Sequence, residues 1–279
     1  MQNFDRRYSF AAGKAGETGF EIGGDNALHI SFAIQKADTE SQNTSKITLW
    51  NLSPAQLAVL NEKDCVVVLK AGYGNNLPLL FVGAVSFVQT SIDSADRMTE
   101  IEAVDGRIEI RDSYISVGYT DVINTKKIIE DIAAEMGLTL VFSYNAKFVD
   151  LPNGYSFIGQ AKNALDKICA ASGLVWSVQN GILQVKMQND TLTQDVFLLT
   201  PETGLINIPK MVTLAAENSD SKNQTGWDVD YLMNAAIGVD DLVRVESKIM
   251  SGNFRVYSVD IEGDNLEGVW QCTARLLEV

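Results

Sequence analysis

A chain of 279 residues with 46% hydrophobic content exceeds the usual size of one domain and has enough apolar material for ordinary packed cores, so two or three domains are expected. Its formal charge of −14 speaks against wrapping nucleic acid, because duplex binding is driven by Lys and Arg that neutralise phosphates and release counterions. The longest apolar runs, Cys65 to Leu69 and Leu79 to Val82, are too short to cross a bilayer, and the start MQNFDRRYSF lacks the apolar stretch of a secretory signal; a soluble chain without membrane anchoring or export signal is expected.

The Gly-rich piece Gly13 to Gly24, like Gly72 to Gly74 further on, lacks the following helix with Lys and Ser or Thr that a phosphate cradle needs, and reads as turns. Ala27 to Phe32 then reads as a strand that contains His29, the single histidine of the chain. Serine–histidine or cysteine–histidine catalysis would have to use this residue, yet no nucleophile elbow or cysteine motif accompanies it, and histidine-based metal sites are nearly excluded. Paired carboxylates of glycosidase type stay open, because acids are abundant and sequence does not reveal which of them converge. No catalytic residue, cofactor or metal site is assigned, and the chain is read as a non-enzyme.

From Thr44 to Leu52 apolar and polar residues roughly alternate, the period-two pattern of a half-buried strand. Ser53-Pro54-Ala55-Gln56 predicts a short helix next: serine caps the first amides, proline suits the first helical position, glutamine completes a capping box, and Leu57 and Leu60 face the core. Cys65 to Lys70, Leu80 to Val88 and Thr99 to Val104 follow as strands, with turn residues at Gly72 to Asn76. Short strands separated by turns suggest a barrel or sandwich.

The middle of the chain changes period. Lys127 to Ser143 (KIIEDIAAEMGLTLVFS) lines up without gaps on Asn163 to Gln179 (NALDKICAASGLVWSVQ), so that Gly137 falls on Gly173. Each copy predicts an amphipathic helix, with Ile128, Ile129, Ile132 and Met136 in one and Leu165, Ile168 and Cys169 in the other. A glycine just past the last turn closes each helix, and an extended apolar run leaves it. Asn180-Gly181 before Ile182 to Val185 predicts a tight type I′ hairpin. Two helices packed on one small sheet are the expectation for this middle part.

Beyond it, Glu217 to Gly226 (ENSDSKNQTG) reads as a polar loop, either an ordinary surface loop or one that orders on a neighbouring subunit. The C-terminal end returns to β pattern: Asp241 to Val245, a turn at Ser251-Gly252, Phe254 to Val259, a turn at Gly263-Asp264, and Val269 to Ala274. From Glu217 onward twelve acidic residues stand against five basic ones, which reads as a solvated face. Cys65, Cys169 and Cys272 fall one to each part with no short spacing and read as core thiols. Trp50, Trp176, Trp227 and Trp270 read as core or subunit contacts, with a sugar-stacking groove as the alternative.

Asp64-x-Val66-x-Val68 followed by Phe81 to Val88 matches Asp241-x-Val243-x-Val245 followed by Phe254 to Val259, which suggests two related β-domains in one chain. The boundaries read as a first β-barrel-like tube domain at 1–105, an α/β middle domain at 106–187 and a second β-barrel-like tube domain at 188–279. The fold class is thus mainly β with a small two-helix α/β middle.

Ile47-x-Leu49-x-Asn51-Leu52-Ser53, Asp64-x-Val66-x-Val68-x-x-Ala71-Gly72-Tyr73 with Phe81-x-Gly83, Thr203-Gly204-Leu205-Ile206-Asn207-Ile208-Pro209, and the stretch from Gly238 through Trp270 together resemble the baseplate hub proteins of contractile phage tails and related tail-like injection particles. One departure is Val239-Asp240-Asp241, where a Pro-Gly-Asp-like turn is commoner in that family. The resemblance implies a homotrimer whose two tube domains per chain form a pseudo-sixfold ring, joining a hexameric tail tube to a trimeric central spike around a DNA or effector channel. It implies tail tube protein, central spike protein, tape-measure protein and baseplate wedge proteins as partners, DNA passing without specific binding, and a place in the virion tail baseplate after assembly in the host cytoplasm. Like charge would keep the genome off the channel wall, so Asp260, Glu262, Asp264 and Glu267 are lumen-facing acidic candidates; the alternative is that they decorate a hairpin turn. A carbohydrate-active or receptor-binding tail protein is the second functional reading.

Overall fold

The computed structural model describes residues 5–14, 16–38, 42–214 and 224–279. The N-terminal part contributes β1 (Arg6–Gly13), β2 (Phe20–Gly23), β3 (Ile30–Ala37), β4 (Thr44–Trp50), α1 (Pro54–Leu60), β5 (Val66–Tyr73), β6 (Leu79–Asp93) and β7 (Asp96–Val104). The middle contributes α2 (Arg107–Asp112), β8 (Tyr114–Tyr119), β9 (Ile123–Asn124), α3 (Thr125–Met136), β10 (Thr139–Phe142), β11 (Asp150–Leu151), β12 (Tyr155–Gln160), α4 (Ala161–Ser172), β13 (Leu174–Gln179) and β14 (Ile182–Met187). The C-terminal part contributes β15 (Val196–Leu199), β16 (Lys210–Leu214), β17 (Gln224–Leu232), β18 (Leu242–Glu246), β19 (Ser251–Asp264) and β20 (Trp270–Glu278).

Local chemistry sets several of these boundaries. Ser53 caps α1 by accepting from the Gln56 amide while the Gln56 side chain accepts from the Ser53 amide, with Pro54 in the first turn. Leu60 is buried and Leu57 packs against the same core. Both middle helices end as their letters predict, with Gly137 at φ 69° and Gly173 at φ 66° supplying the left-handed closing residue. Asn180 and Gly181 both have positive φ, 53° and 75°, as a type I′ turn between β13 and β14 requires. The helices bury Ile128, Ile129, Ile132, Met136, Leu165, Ile168 and Cys169 against a three-stranded sheet of order β10-β14-β13, in which β10 runs parallel to β14. This middle body has its own apolar core, separate from that of the two ends.

Among the described residues the ends build one large sheet of thirteen strands, and it contains the same unit twice. Strands β3 to β7 lie in the spatial order β3-β4-β7-β6-β5, and β16 to β20 lie in the order β16-β17-β20-β19-β18. Each long fourth strand carries a register shift against the fifth, between Val85 and Phe87 in β6 and between Val256 and Ser258 in β19. The units join where β3 of the first pairs with β19 of the second, over Ser258↔Ala37 to Asp264↔Ser31. Ile34 and Ile261 meet in that register, both buried, so one apolar core runs beneath both units. The fold is mainly β as expected, and no closed barrel forms among the described residues.

The duplication differs from its sequence alignment by small shifts. The hydrogen-bond ladders set Val66 opposite Ala84 and Leu242 opposite Arg255, immediately before each bulge, so Val66 corresponds to Leu242 and Asp64 to Asp240 rather than to Asp241. Asp64 and Asp240 share a positive φ, 62° and 69°. Alternating valines fit equally well at several offsets, whereas the ladder admits one.

Three expected turns also move. Ser251-Gly252 opens β19, and the reversal lies just before it, where the Ser247 hydroxyl donates to the Met250 carbonyl and accepts from its amide. Gly263-Asp264 closes β19, and the turn comes after it, because Asp264 Oδ1 accepts from the amides of Leu266 and Glu267, both at 2.9 Å. Of the polar stretch Glu217 to Gly226, Gln224 to Gly226 already belong to β17; the preceding residues 217–223 lie outside the described residues.

Candidate functional site

Period-two alternation along β19 gives the large sheet a buried and an open face at the junction. Val259, Ile261 and Gly263 face the core, and Asp260, Glu262 and Asp264 stand on the other face. Gly263 has no side chain because the Phe32 ring crosses it; a Cβ there would lie 2.2 Å from that ring. Neighbouring strands extend the open face as a polar surface. On it Lys46 pairs with Glu100 at 2.7 Å, and Arg275 donates twice to Asp228, at 2.8 and 2.9 Å.

The four acidic candidates divide in their surroundings. Asp260 and Glu262 are exposed on this face, and Glu267 is exposed at the turn beyond β19. Asp264 is half-buried. Burial opposes its ionisation, but the amides of Glu267 and Leu266 and the His29 ring more than offset that and hold its carboxyl below the ordinary range. Asp264 is thus tied into the turn, while Asp260 stands on the open face beside Arg275 and Asp228, with burial pushing its carboxyl up against the pull of Arg275.

His29 lies just ahead of β3 rather than within a strand. Its Nε2 sits 3.0 Å from Asp264 Oδ2, and its ring stacks on Trp50 with centroids 3.8 Å apart. These partners fix the ring as a link between the β3–β4 hairpin and the turn after β19. The tryptophans are dispersed: Trp176 is buried in the middle body and donates to Asp166 Oδ1 at 2.9 Å, Trp270 is buried edge-on to Phe32, and Trp227 packs against the large core. They do not share a groove.

A second polar site was not legible beforehand. Where the three parts of the chain meet, Lys186 of β14 lies 2.9 Å from Asp38 Oδ2 and 2.9 Å from Asp240 Oδ1. Arg255 of β19 pairs with the same two carboxylates, at 2.8 Å to Asp240 Oδ1. All four groups are buried or nearly so. Burial works against ionisation of Asp38, but Lys186 and Arg255 outweigh it and hold the carboxyl low. Asp240 goes the other way: burial, reinforced by Asp38, pushes it up to about 6 against the pull of both cations.

Asp105 makes a third junction. It sits between β7 and α2, and its carboxylate accepts from the amides of Asn180 and Gly181, the latter at 3.0 Å, and from the Asn43 side chain at 3.3 Å. The tight hairpin of the middle body is therefore gripped by the first β-unit. The sole sequence sign of this machinery was the unusual Val239-Asp240-Asp241 turn; nothing in the letters paired Asp38, Lys186 and Arg255. These buried groups bind parts of the chain to one another.

Comparison with known proteins follows the same lines. The family model described as baseplate hub gp41 matches residues 18–262. Among solved structures, the 43 kDa tail protein of prophage MuSo2 from Shewanella oneidensis superposes with a TM-score of 0.62 at 9% identity, covering 97% of this chain and 96% of that one. A tail protein from Neisseria meningitidis MC58 gives 0.61 at 11% identity, again over 97% and 96%. The E. coli c3393 protein, a type VI secretion system component described as structurally similar to the T4 bacteriophage tail proteins gp27 and gp5, gives 0.61 at 8% identity over 90% of this chain and 74% of that one. At such identities the likeness shows a shared fold. No curated protein matches the chain by sequence.

Proposed function

We infer the role of this chain from a plain premise: it belongs to the baseplate hub gp41 family and is a structural component of a phage tail. We propose that it is the hub itself in ring form. Three copies, each with a tube domain at 1–105, a middle domain at 106–187 and a second tube domain at 188–279, make a pseudo-sixfold ring. That ring joins a hexameric tail tube to a trimeric central spike and surrounds the DNA or effector channel.

One observation carries this reading: the same five-strand unit occurs twice in the chain, in the same strand order, joined edge to edge through β19 and β3. A protein with two equivalent units is suited to matching sixfold symmetry on one side with threefold symmetry on the other, because three chains present six units. The open polar face with Asp260 and Glu262 supports the channel assignment, since like charge discourages DNA from adhering. Partners under this reading are the tail tube, central spike, tape-measure and baseplate wedge proteins, in the virion tail after assembly in the host cytoplasm.

Native mass measurement of the purified chain, alone and with the tube and spike proteins of the same particle, tests it. A trimer mass that persists in complexes with both partners is expected. A chain that stays monomeric with every partner overturns the ring.

A further inference from the structure

The junction between the two units leaves an unmatched counterpart. In the second unit β19 uses one edge for β20 and shares the other between β18, at its first residues, and β3, from Ser258 to Asp264. In the first unit β6 uses one edge for β7 and gives the start of the other to β5, up to Ala84. Among the described residues no strand pairs with the rest of that edge, from Phe87 to Asp93. At the far end of the sheet β16, the counterpart of β3, pairs among the described residues with β17 alone. One chain thus ends in two open edges that are the two halves of the joint it has already made once.

Resting on the trimeric reading above, we propose that β16 of one copy pairs antiparallel with residues Phe87 to Asp93 of β6 in the next copy, in the register of β3 on β19. The register follows from the ladders. The bulges equate Thr90 with Ile261, and the pairs Ala33↔Lys46 and Lys210↔Asp228 equate Met211 with Ile34. Because Ile261 lies opposite Ile34, Thr90 lies opposite Met211, with Val88 opposite Thr213 and Ile92 opposite Pro209 on the same face.

The side chains on these edges fit such a partner. Ile92 is 80% exposed and Met211 65% exposed, and Phe87 and Ile208 are exposed beside them. At the joint within the chain the counterpart of Met211, Ile34, is buried, and so is Ile261, the counterpart of Thr90. Apolar residues along an unpaired strand edge invite strand addition, and natural proteins guard an edge with charge or proline unless it is meant to be covered. The contact is head to tail, β16 on β6 rather than a patch on itself, which is the arrangement that closes into rings. Within one copy the joint is β19 to β3 and between copies it is β6 to β16, so the two alternate around the ring.

Disulfide trapping in the full chain tests the register. Cys65, Cys169 and Cys272 are buried free thiols and do not compete. The double variant Thr90→Cys with Met211→Cys, on exposed positions that leave the fold intact, is oxidised and run on a non-reducing gel beside native mass measurement. Facing positions on paired strands lie about 4.5–5.5 Å apart between Cα atoms, within disulfide reach. Covalent dimers and trimers are expected, at least tenfold more abundant than from Gln89→Cys with Met211→Cys, which places one thiol on the opposite face. Trimers by native mass without enrichment of the in-register crosslink overturn this pairing and leave the ring standing. A monomer by mass with no crosslink at all overturns both.

Discussion

Arg255 Nη1 donates to Asp240 Oδ1 at 2.8 Å, across the open end of the β18–β19 hairpin, where Asp240 leads into β18. Asp240 occupies this position at φ 69°, a conformation that glycine adopts freely and other residues at a cost. A carboxylate stands there because it is needed: the same oxygen also meets Lys186, and the Asp240 carbonyl accepts from the Leu192 amide at the exit from the middle body. The departure from the Pro-Gly-Asp-like turn is thus the mark of an ion cluster that locks three parts of the chain together.

Replacing Asp240 separates the backbone effect from the charge effect. Asp240→Ala leaves Lys186 and Arg255 buried with Asp38 as their one remaining ion-pair partner among the described residues, and a loss of about 3–5 kcal/mol in unfolding free energy is expected. Asp240→Gly loses the same carboxylate but relieves the left-handed strain, so it is expected to retain about 1 kcal/mol more than the alanine variant. Urea unfolding of both variants measures the difference, and equal losses would show that the backbone conformation costs nothing.

The cluster and its neighbour also set a pH response. Asp240 and Asp241 are both pushed up to about 6, chiefly by burial, from an ordinary value of 3.8. A folded-state carboxyl with a raised pKa holds a proton that the unfolded chain releases, so these two groups make stability fall as pH rises from 3.8 through about 6. Asp38, held low, acts in the opposite sense, and its contribution is lost only as pH falls below 3.8. Thermal unfolding at a series of pH values is expected to show the decline. Asp241→Asn, which keeps an oxygen for the Gly238 amide bonded at 2.7 Å, should flatten it.

Gly137 and Gly173 offer a clean test of the duplicated helix ending. Both have positive φ, and a Cβ on either would meet no atom within 4 Å. Alanine at either site is therefore expected to cost about 1 kcal/mol through backbone conformation alone, with no steric contribution. Denaturant midpoints of the two single variants should shift by similar amounts, and the double variant by their sum. Unequal shifts would mean that one of these turns is held by something other than the glycine.

How much of this could be read from the letters depended on whether the signal was local. The capping box at Ser53, the glycine stops and the Asn180-Gly181 turn rest on residues a few positions apart, and each formed as expected. The two-unit pattern was visible, but its alignment slipped because valine alternation carries no register. The contacts that assemble the parts were invisible for the same reason. Asp38 and Lys186 are 148 residues apart, and Arg6 reaches the Asp264 carbonyl across 258. Nothing short-range marks a lysine in a strand as the partner of an aspartate at the far end of another. Asp260 and Glu262 were singled out by charge alone; the alternation of β19 explains why these two share the open face, while Asp264 was drawn into the turn by the need to cap it.

The channel reading makes its own prediction at those two positions. Both side chains are exposed on the face of the large sheet away from the core, so reversing their charge should leave folding and the β19–β3 joint intact. Asp260→Lys with Glu262→Lys changes the local charge by four units per chain, and around a ring of three chains that converts a repelling band into one that binds phosphates. Particles carrying the double variant are expected to assemble in normal number but to deliver DNA at least tenfold less often, a defect eased by raising salt during injection, because counterion release drives such binding. Asp260→Asn with Glu262→Gln, which only removes charge, should fall between the two. Normal delivery by the lysine variant would place these carboxylates away from the channel.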